Sequence, residues 1–593
     1  MLMLHNVDSM SHQVKKNLGV TLHGGSAEFR VWAPFAKAVA LTGTFTPDGP
    51  EPLTNEHDGY WSVVIKNVEP GHIYRYQIMT ADGELLEKND PRARAITSSD
   101  NGYSVIVDNE FDWGESKYVA PERSHQIIYE LHIGTFNRPD AATTGTFETA
   151  IQKLDYLKNL GVNMIEVMPI TSMCSSNGWG YNVAEIFSIE QVYGGRYGLL
   201  AFVRACHERG IGVIVDVVYN HFLSGTLWRF DGWYENDRGG IYFYNDDRGD
   251  TPWGSRPDYG RPEVRHFLLD SIVMWFQEFR VDGLRLDSTA YMRNTAGHND
   301  DPAHDIGDAW TLMQDITHLA HKINPHATII AEDTSVNSFI TKASSDGGCG
   351  FDAQWGLDFP HAIRQMLGIN TSYYADLQTE LLSSYNGDVF QKVIFSDSHD
   401  TAANGSVRIN DAAAPRNPTS LIARQKLLLA DALMLTAPGI PMLLQGAEFL
   451  QDGAFNDWQA LEWKHVEKHE GIVKAHQHLI KLRLNEYANT AGLLGQSTAI
   501  IHRDDFNHVI GYHRWDQGGI GDDVVVITNF SDQVLADYNL TLPRPGTWTV
   551  RFNSSWRGYS ADFNEQAWDS TVSDDTGMVN LTLAPYGIYI LSQ

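Results

Sequence analysis

Residues 263–290 read EVRHFLLDSIVMWFQEFRVDGLRLDSTA. The first part, EVRHFLLDSIVMWFQEF, carries apolar residues at helical spacing and predicts an amphipathic helix. The second, VDGLRLDSTA, predicts a strand that is apolar except for Arg285 and Asp287. Those two stand two positions apart, so their side chains leave the same face of the strand. Burying a cation and an anion on one face costs desolvation unless they pair or serve a reaction. A helix running into a buried strand is also the repeating unit of a parallel sheet.

The same unit recurs in both directions from this stretch. QIIYELHIGTF (126–136), VNMIEVMPI (162–170), IGVIVDVVYNH (211–221), ATIIAED (327–333), KVIFSDSHD (392–400) and GIPMLLQGAE (439–448) predict strands. IQKLDYLKNLG (151–161), GLLAFVRACHERG (198–210) and AWTLMQDITHLAHKI (309–323) predict helices, the first two ending at glycines placed to cap them. This alternation predicts an α/β fold, a closed (β/α)8 TIM barrel, over residues 116–490. Residues 24–110 alternate apolar and polar, as in AEFRVWAPFAKAVALTG (27–43), and predict a β-sandwich as the N-terminal domain, 1–115. LEKNDPRAR (86–94) and WGESKYVAPERS (113–124) read as linkers, punctuated by Pro91 and Pro121. The alternating pattern returns over 491–593, in HVIGYHRW, DDVVVITNF and GTWTVRF, and predicts a second β-sandwich.

The formal net charge of −30 repels phosphate backbones and argues against a nucleic-acid partner; a neutral polyhydroxylated ligand meets no such barrier. The 16 tryptophans serve either a large core or sugar rings, whose apolar faces stack on aromatics; Trp32 and Trp61, in alternating strands, read as core. Cys174, Cys206 and Cys349 have neither metal-ligand spacing nor an even count for a disulfide framework. No apolar run reaches the length of a membrane span, and MLMLHNVDSMSHQVKK is too polar for a signal peptide. The expectation is a cytoplasmic protein with no cofactor and no required metal; the oligomeric state is not legible.

Functional residues of such a barrel sit at the carboxyl ends of its strands. Here those ends carry Asp216, Asn220 and His221; Arg285 and Asp287; Glu332 and Asp333; Asp397, His399 and Asp400; Trp179 and Tyr181 follow an earlier strand. One acid after a strand is an ordinary cap or turn residue. Four acid-bearing ends at one mouth repel one another, and glycosyl chemistry is a use for them: one carboxylate attacks while another donates the proton.

At this point the chain resembles glycoside hydrolase family 13, the α-amylase family, whose four short motifs appear in order as DVVYNH (216–221), GLRLD (283–287), AED (331–333) and SHD (398–400). The N-terminal segment resembles the family 48 carbohydrate-binding module, and the C-terminal segment the β-sandwich that closes these barrels. The resemblance implies that Asp287 is the nucleophile, Glu332 the general acid/base, and Asp400 a stabiliser of the transition state. It implies that Arg285 pairs with the nucleophile, His221 and His399 bind sugar hydroxyls, Asp216 positions that network, and Tyr181 stacks under the ring. In amylase relatives the Asn220 position also serves calcium. SHDTAANG (398–405) is similar to branching enzymes, and GFDAQWGLDFPHAI (350–363) to trehalohydrolases. Asp333 replaces a second glutamate usual in bacterial branching enzymes. The expected activity is 1,4-α-glucan branching on glycogen, amylose or maltooligosaccharides. The alternatives are hydrolysis of α-1,4-glucans or maltooligosyltrehalose and, more remotely, non-catalytic glucan binding.

Overall fold

A computed structural model describes residues 18–98, 102–140, 142–174, 179–223, 225–371, 374–564 and 570–593. The polar stretch at the start of the chain lies outside the described residues.

Eight parallel strands close a barrel: β1 (Ile128–Leu131), β2 (Met164–Val167), β3 (Gly212–Val217), β4 (Gly283–Leu286), β5 (Thr328–Ala331), β6 (Ala353–Trp355), β7 (Lys392–Phe395) and β8 (Ile440–Leu444), with β8 pairing back to β1. The α/β expectation holds, and strand-end acids therefore meet at one rim. Inward-facing residues form two tiers. Ile128, Met164, Ile214, Ile330, Val393, Ile440 and Met442 pack as an apolar plug. Two positions beyond Ile128, Met164 and Ile214 stand Glu130, Glu166 and Asp216, joined by Arg285 of β4, all buried. The plug closes the barrel below, so these polar groups meet one another rather than bulk water.

Residues 263–290 fold as a helix leading into a buried strand, as expected, with one addition. The helix Pro262–Val273 starts with proline at its first turn, where a missing N–H costs nothing. It continues as a π-turn, Met274–Glu278, and Arg280 takes φ +53° before β4 begins. Gly283 opens β4 because a Cβ there would stand 2.3 Å from the Thr328 carbonyl of β5. Gly161 caps its helix at φ +105°. Strand β6 is one that alternation does not pick out: it is three residues long, inside GFDAQWGLDF.

The N-terminal module is a two-sheet sandwich. Gly19–Leu22, Ser26–Trp32, Tyr60–Lys66 and Thr54–Asn55 form one sheet, and Ala38–Gly43, Ile73–Met79 and Leu85–Lys88 build most of the other. Trp32 and Trp61 are buried, as their alternation predicts; Trp61 donates its indole N–H to the Ala33 carbonyl, and Trp32 meets Tyr242 of the barrel edge-on at 5.6 Å. The segment expected as a linker, 86–94, is packed. Leu85–Lys88 pairs with Ile73–Met79, Asp90 is buried against the Tyr74 hydroxyl, and Arg92 reaches Asp270 at 2.7 Å. Arg92 and Arg94 find their partners, Asp270 and Glu278, across the module–barrel boundary.

Beyond the barrel, a six-stranded sheet and a two-stranded one form the C-terminal domain. Buried Arg514 donates to the carbonyls of Thr436, Leu493 and Gly495, and buried Arg483 to those of Ala437 and Gly439. These bonds satisfy the chain where it turns into β8. Among the described residues no helix is long and apolar enough to cross a membrane.

Candidate active site

Arg285 is the hub of the rim. Its guanidinium is fully buried, stacked over Trp355 at 4.4 Å. Nη1 donates to Asp216 Oδ2 at 2.7 Å and to Asp287 Oδ1 at 3.0 Å. Nη2 lies 2.9 Å from Glu332 Oε2. That last contact is short but poorly directed, and Nη2 has no aligned hydrogen-bond acceptor. It therefore acts as a charge contact rather than a second strong bond. One cation thus touches acids from β3, β4 and β5, because register places Asp216 opposite Arg285 and the β5 end alongside.

Asp287 has a second partner. Asn220 donates its amide to Asp287 Oδ2 at 2.6 Å and to the Asp287 carbonyl at 2.9 Å, while the Asn220 carbonyl oxygen faces His221 Nδ1. Both carboxyl oxygens of Asp287 thus accept from nitrogen donors. Here Asn220 serves the carboxylate.

Glu332 lies in a different environment. Burial raises its pKa to about 8; Arg285 opposes the rise, Asp287 and Asp400 add to it, and the Ser288 N–H, donating to Oε2 at 2.9 Å, opposes it. At neutral pH its carboxyl is mostly protonated. Ser288 delivers that N–H from φ +44°, ψ 54°, a left-handed conformation uncommon for serine. Asp216 is raised to about 6, by burial first and against the pull of Arg285. His221 is lowered by burial, which favours its neutral form.

Tyr181 is carried by the turn after β2. Gly180 sits at φ +96°, where a Cβ would lie 2.2 Å from the Pro169 carbonyl, so only glycine lets Trp179 and Tyr181 reach the rim. Tyr181 donates to Asp216 Oδ2 at 2.7 Å, stands 3.0 Å from His399 Nε2, and stacks on the His399 ring at 5.5 Å. Asp400 is the open member, with a side chain 42% exposed and 3.6 Å from His399 Nε2.

The structure therefore brings together Asp287, Glu332, Asp400, Tyr181, Asp216, Arg285 and His399, with His221 at the edge beside Asn220. It turns two other strand-end acids away. Asp333 is fully buried in a two-pronged pair with Arg293, at 2.8 Å on each oxygen. Asp397 is buried against Arg364 and the Ile409 N–H. Both hold loops. Glu130 of β1 goes the other way: sequence reasoning passes over it, yet its Oε1 meets His399 Nδ1 at 2.5 Å. The signal was there, since Glu130 is a lone acid in the apolar run IIYEL.

A parallel barrel whose rim joins a buried arginine to three acids, one of them with a raised pKa, is an arrangement suited to cleaving glycosyl bonds. The chain matches the alpha amylase catalytic domain over residues 131–255, the alpha amylase C-terminal all-beta domain over 500–593, and carbohydrate-binding module 48 (isoamylase N-terminal domain) over 17–93. It is 31% identical over 470 residues to a malto-oligosyltrehalose trehalohydrolase of Saccharolobus solfataricus, covering 74% of this chain and 76% of that one. It is 28% identical over 569 residues to the 1,4-alpha-glucan branching enzyme GlgB of Corynebacterium jeikeium, covering 91% and 77%. In fold it is similar to a pullulanase type I of Bacillus subtilis (TM-score 0.76, 20% identity, 98% and 86% covered) and a putative alpha amylase of Salmonella typhimurium (TM-score 0.73, 22% identity, 98% and 100% covered). The chain belongs to the α-amylase family, glycoside hydrolase family 13, and is an enzyme of that α-glucan-active class.

Proposed function

We propose that this protein cleaves α-1,4-glucosidic bonds with retention and transfers the released chain to a glucan 6-hydroxyl, acting as a 1,4-α-glucan branching enzyme. Asp287 attacks the anomeric carbon while the Glu332 proton passes to the departing glycosidic oxygen, giving a glycosyl ester on Asp287. The Glu332 carboxylate then takes the proton of the incoming hydroxyl, which displaces Asp287 and restores both groups. Asp400 and His399 bind hydroxyls of the sugar at the cleavage point, Tyr181 supports its ring, and Asp216 and Arg285 hold the set in place.

The observation that carries this reading is the unequal treatment of two acids by one guanidinium. Asp287 receives an aligned N–H from Arg285 and another from Asn220, whereas Glu332, buried and poorly aligned, keeps its proton to about pH 8. That is the division of labour a nucleophile and an acid need. Transfer rather than hydrolysis is supported by branching-enzyme relatives that span 91% and 96% of this chain. A second reading, hydrolysis of maltooligosyltrehalose, draws on the trehalohydrolase at 31% identity.

Amylose incubated with the protein and examined by proton NMR separates these. Branching yields α-1,6 signals and weaker iodine staining with few new reducing ends. Reducing ends without α-1,6 signals mean hydrolysis, and free trehalose from maltooligosyltrehalose means the second reading.

A further inference from the structure

His399 is held from two sides. On one, both oxygens of Glu130 face it: Oε2 accepts the His399 main-chain N–H at 3.0 Å, and Oε1 meets ring Nδ1 at 2.5 Å. Glu130 and His399 are both 2% exposed or less. On the other side, ring Nε2 is 3.0 Å from the Tyr181 hydroxyl. That hydroxyl has one hydrogen. It stands 2.7 Å from Asp216 Oδ2, an oxygen that also accepts from Arg285 Nη1. Tyr181 therefore donates to Asp216 and can only accept from His399. An ionised Glu130 can likewise only accept. With Glu130 as a carboxylate, proton counting places a hydrogen on each ring nitrogen.

We propose that Glu130 is a positioning residue that clamps His399 through main chain and ring and keeps it a doubly protonated, donor-only imidazolium between Tyr181 and Asp400. This rests on the reading of the rim as a glucan site. In that site a His399 charged at neutral pH shares its Nε2–H between Tyr181 and a sugar hydroxyl or Asp400, 3.6 Å away, and has no lone pair with which to accept.

The surroundings are consistent with the charge. Burial opposes it, but Asp400 and Glu130 outweigh burial and raise the His399 pKa to about 9, with Arg285 opposing. Glu166, paired in register with Glu130 on β2, is buried with Oε2 unpartnered; burial, then Glu130, pushes its pKa well above the ordinary range, which favours its neutral form. His132, after β1, is pushed down to about 3 by burial and by His399 itself, and is neutral too. Arg408, from the loop after β7, donates to the Gln445 carbonyl and adds positive potential near Glu130. Trp355, Trp179 and Phe455 close the remaining sides.

The test is Glu130→Gln, which keeps the shape and an acceptor but removes the charge, with Glu130→Asp as the charge-restoring control. Histidine-labelled protein, with the His399 resonance assigned by its loss in His399→Asn, is titrated by NMR alongside pH profiles of kcat/KM on amylose. The wild-type ring is expected to stay charged to about pH 9. In Glu130→Gln its titration moves down by about 1–3 pH units, and the alkaline limb of kcat/KM, set near pH 8 by Glu332 in the wild type, moves down once His399 titrates below it. Glu130→Asp recovers part of the loss. An unchanged His399 titration in a folded Glu130→Gln protein overturns the proposal. If Glu130→Gln does not fold, Glu130→Asp decides: a downward move short of the Gln range supports the clamp, and wild-type behaviour refutes it. If the wild type turns over no α-glucan, the functional reading falls while the NMR titration still judges the clamp.

Discussion

At the scale of single residues, Glu332 links chemistry to stability. Its carboxyl titrates near 8 in the fold against an ordinary value of 4.5. The folded state therefore holds a proton that the unfolded chain has already released between those values. Folding stability from this group is intact below about pH 4.5 and is lost as pH rises through 8. Glu332→Gln is neutral at every pH and escapes that loss. Its melting temperature relative to wild type is expected to climb as pH is taken from below 4.5 to above 8, by scanning calorimetry. A flat difference would mean that the acid is not held protonated. The same substitution removes the proton donor and should lower kcat by about 10²–10⁴-fold, a typical worth of general acid catalysis. Wild-type activity should fall along an alkaline limb near pH 8 as the acid ionises.

At the scale of elements, the rim depends on how strand ends and following loops are tied. The short helix Thr289–Arg293 after β4 is anchored to the β5 end by the Arg293–Asp333 pair, with Thr289 donating to the Glu332 carbonyl and to Asp333. Removing one partner of a buried pair leaves a stranded charge. Arg293→Ala is expected to cost about 3–5 kcal/mol, while Arg293→Met with Asp333→Leu costs much less. Urea denaturation of both variants checks this, and equal losses would contradict it. The contrast with Asp287 shows where sequence reading stops. Alternation locates strand ends and says which side chains share a face, so Arg285 with Asp287 was legible. Whether an acid just past a strand turns into the rim or under it depends on partners distant in sequence: Arg364 for Asp397, and Arg293 for Asp333. Glu130 stands out as a lone acid in IIYEL, but its role was hidden for the same reason, since its partner His399 lies at the far end of the barrel sequence. Strand β6, at three residues, is too short for any period to register.

At the scale of the whole molecule, the flanking domains are built into the barrel. Arg92 pairs with Asp270, and Arg94 and Arg196 share Glu278, so the N-terminal module is pinned to the helix leading into β4. Arg514 does the equivalent for the C-terminal domain, donating to the Thr436 carbonyl ahead of β8. These contacts predict one cooperative unfolding transition rather than three. Arg514→Met leaves buried carbonyls unpaired and should cost on the order of 3 kcal/mol while barely changing KM. A separate low-temperature transition for either β domain in calorimetry would contradict that coupling.

All of this converges on a covalent glycosyl ester at Asp287. The most direct measurement is mass spectrometry of the protein quenched after reaction with a 5-fluoro α-glucosyl fluoride, followed by peptide mapping. The account predicts one glycosyl adduct, on the peptide containing GLRLDSTAY and localised to Asp287, absent from Asp287→Asn. An adduct on another residue, or turnover of the reagent by Asp287→Asn at the wild-type rate, would contradict it.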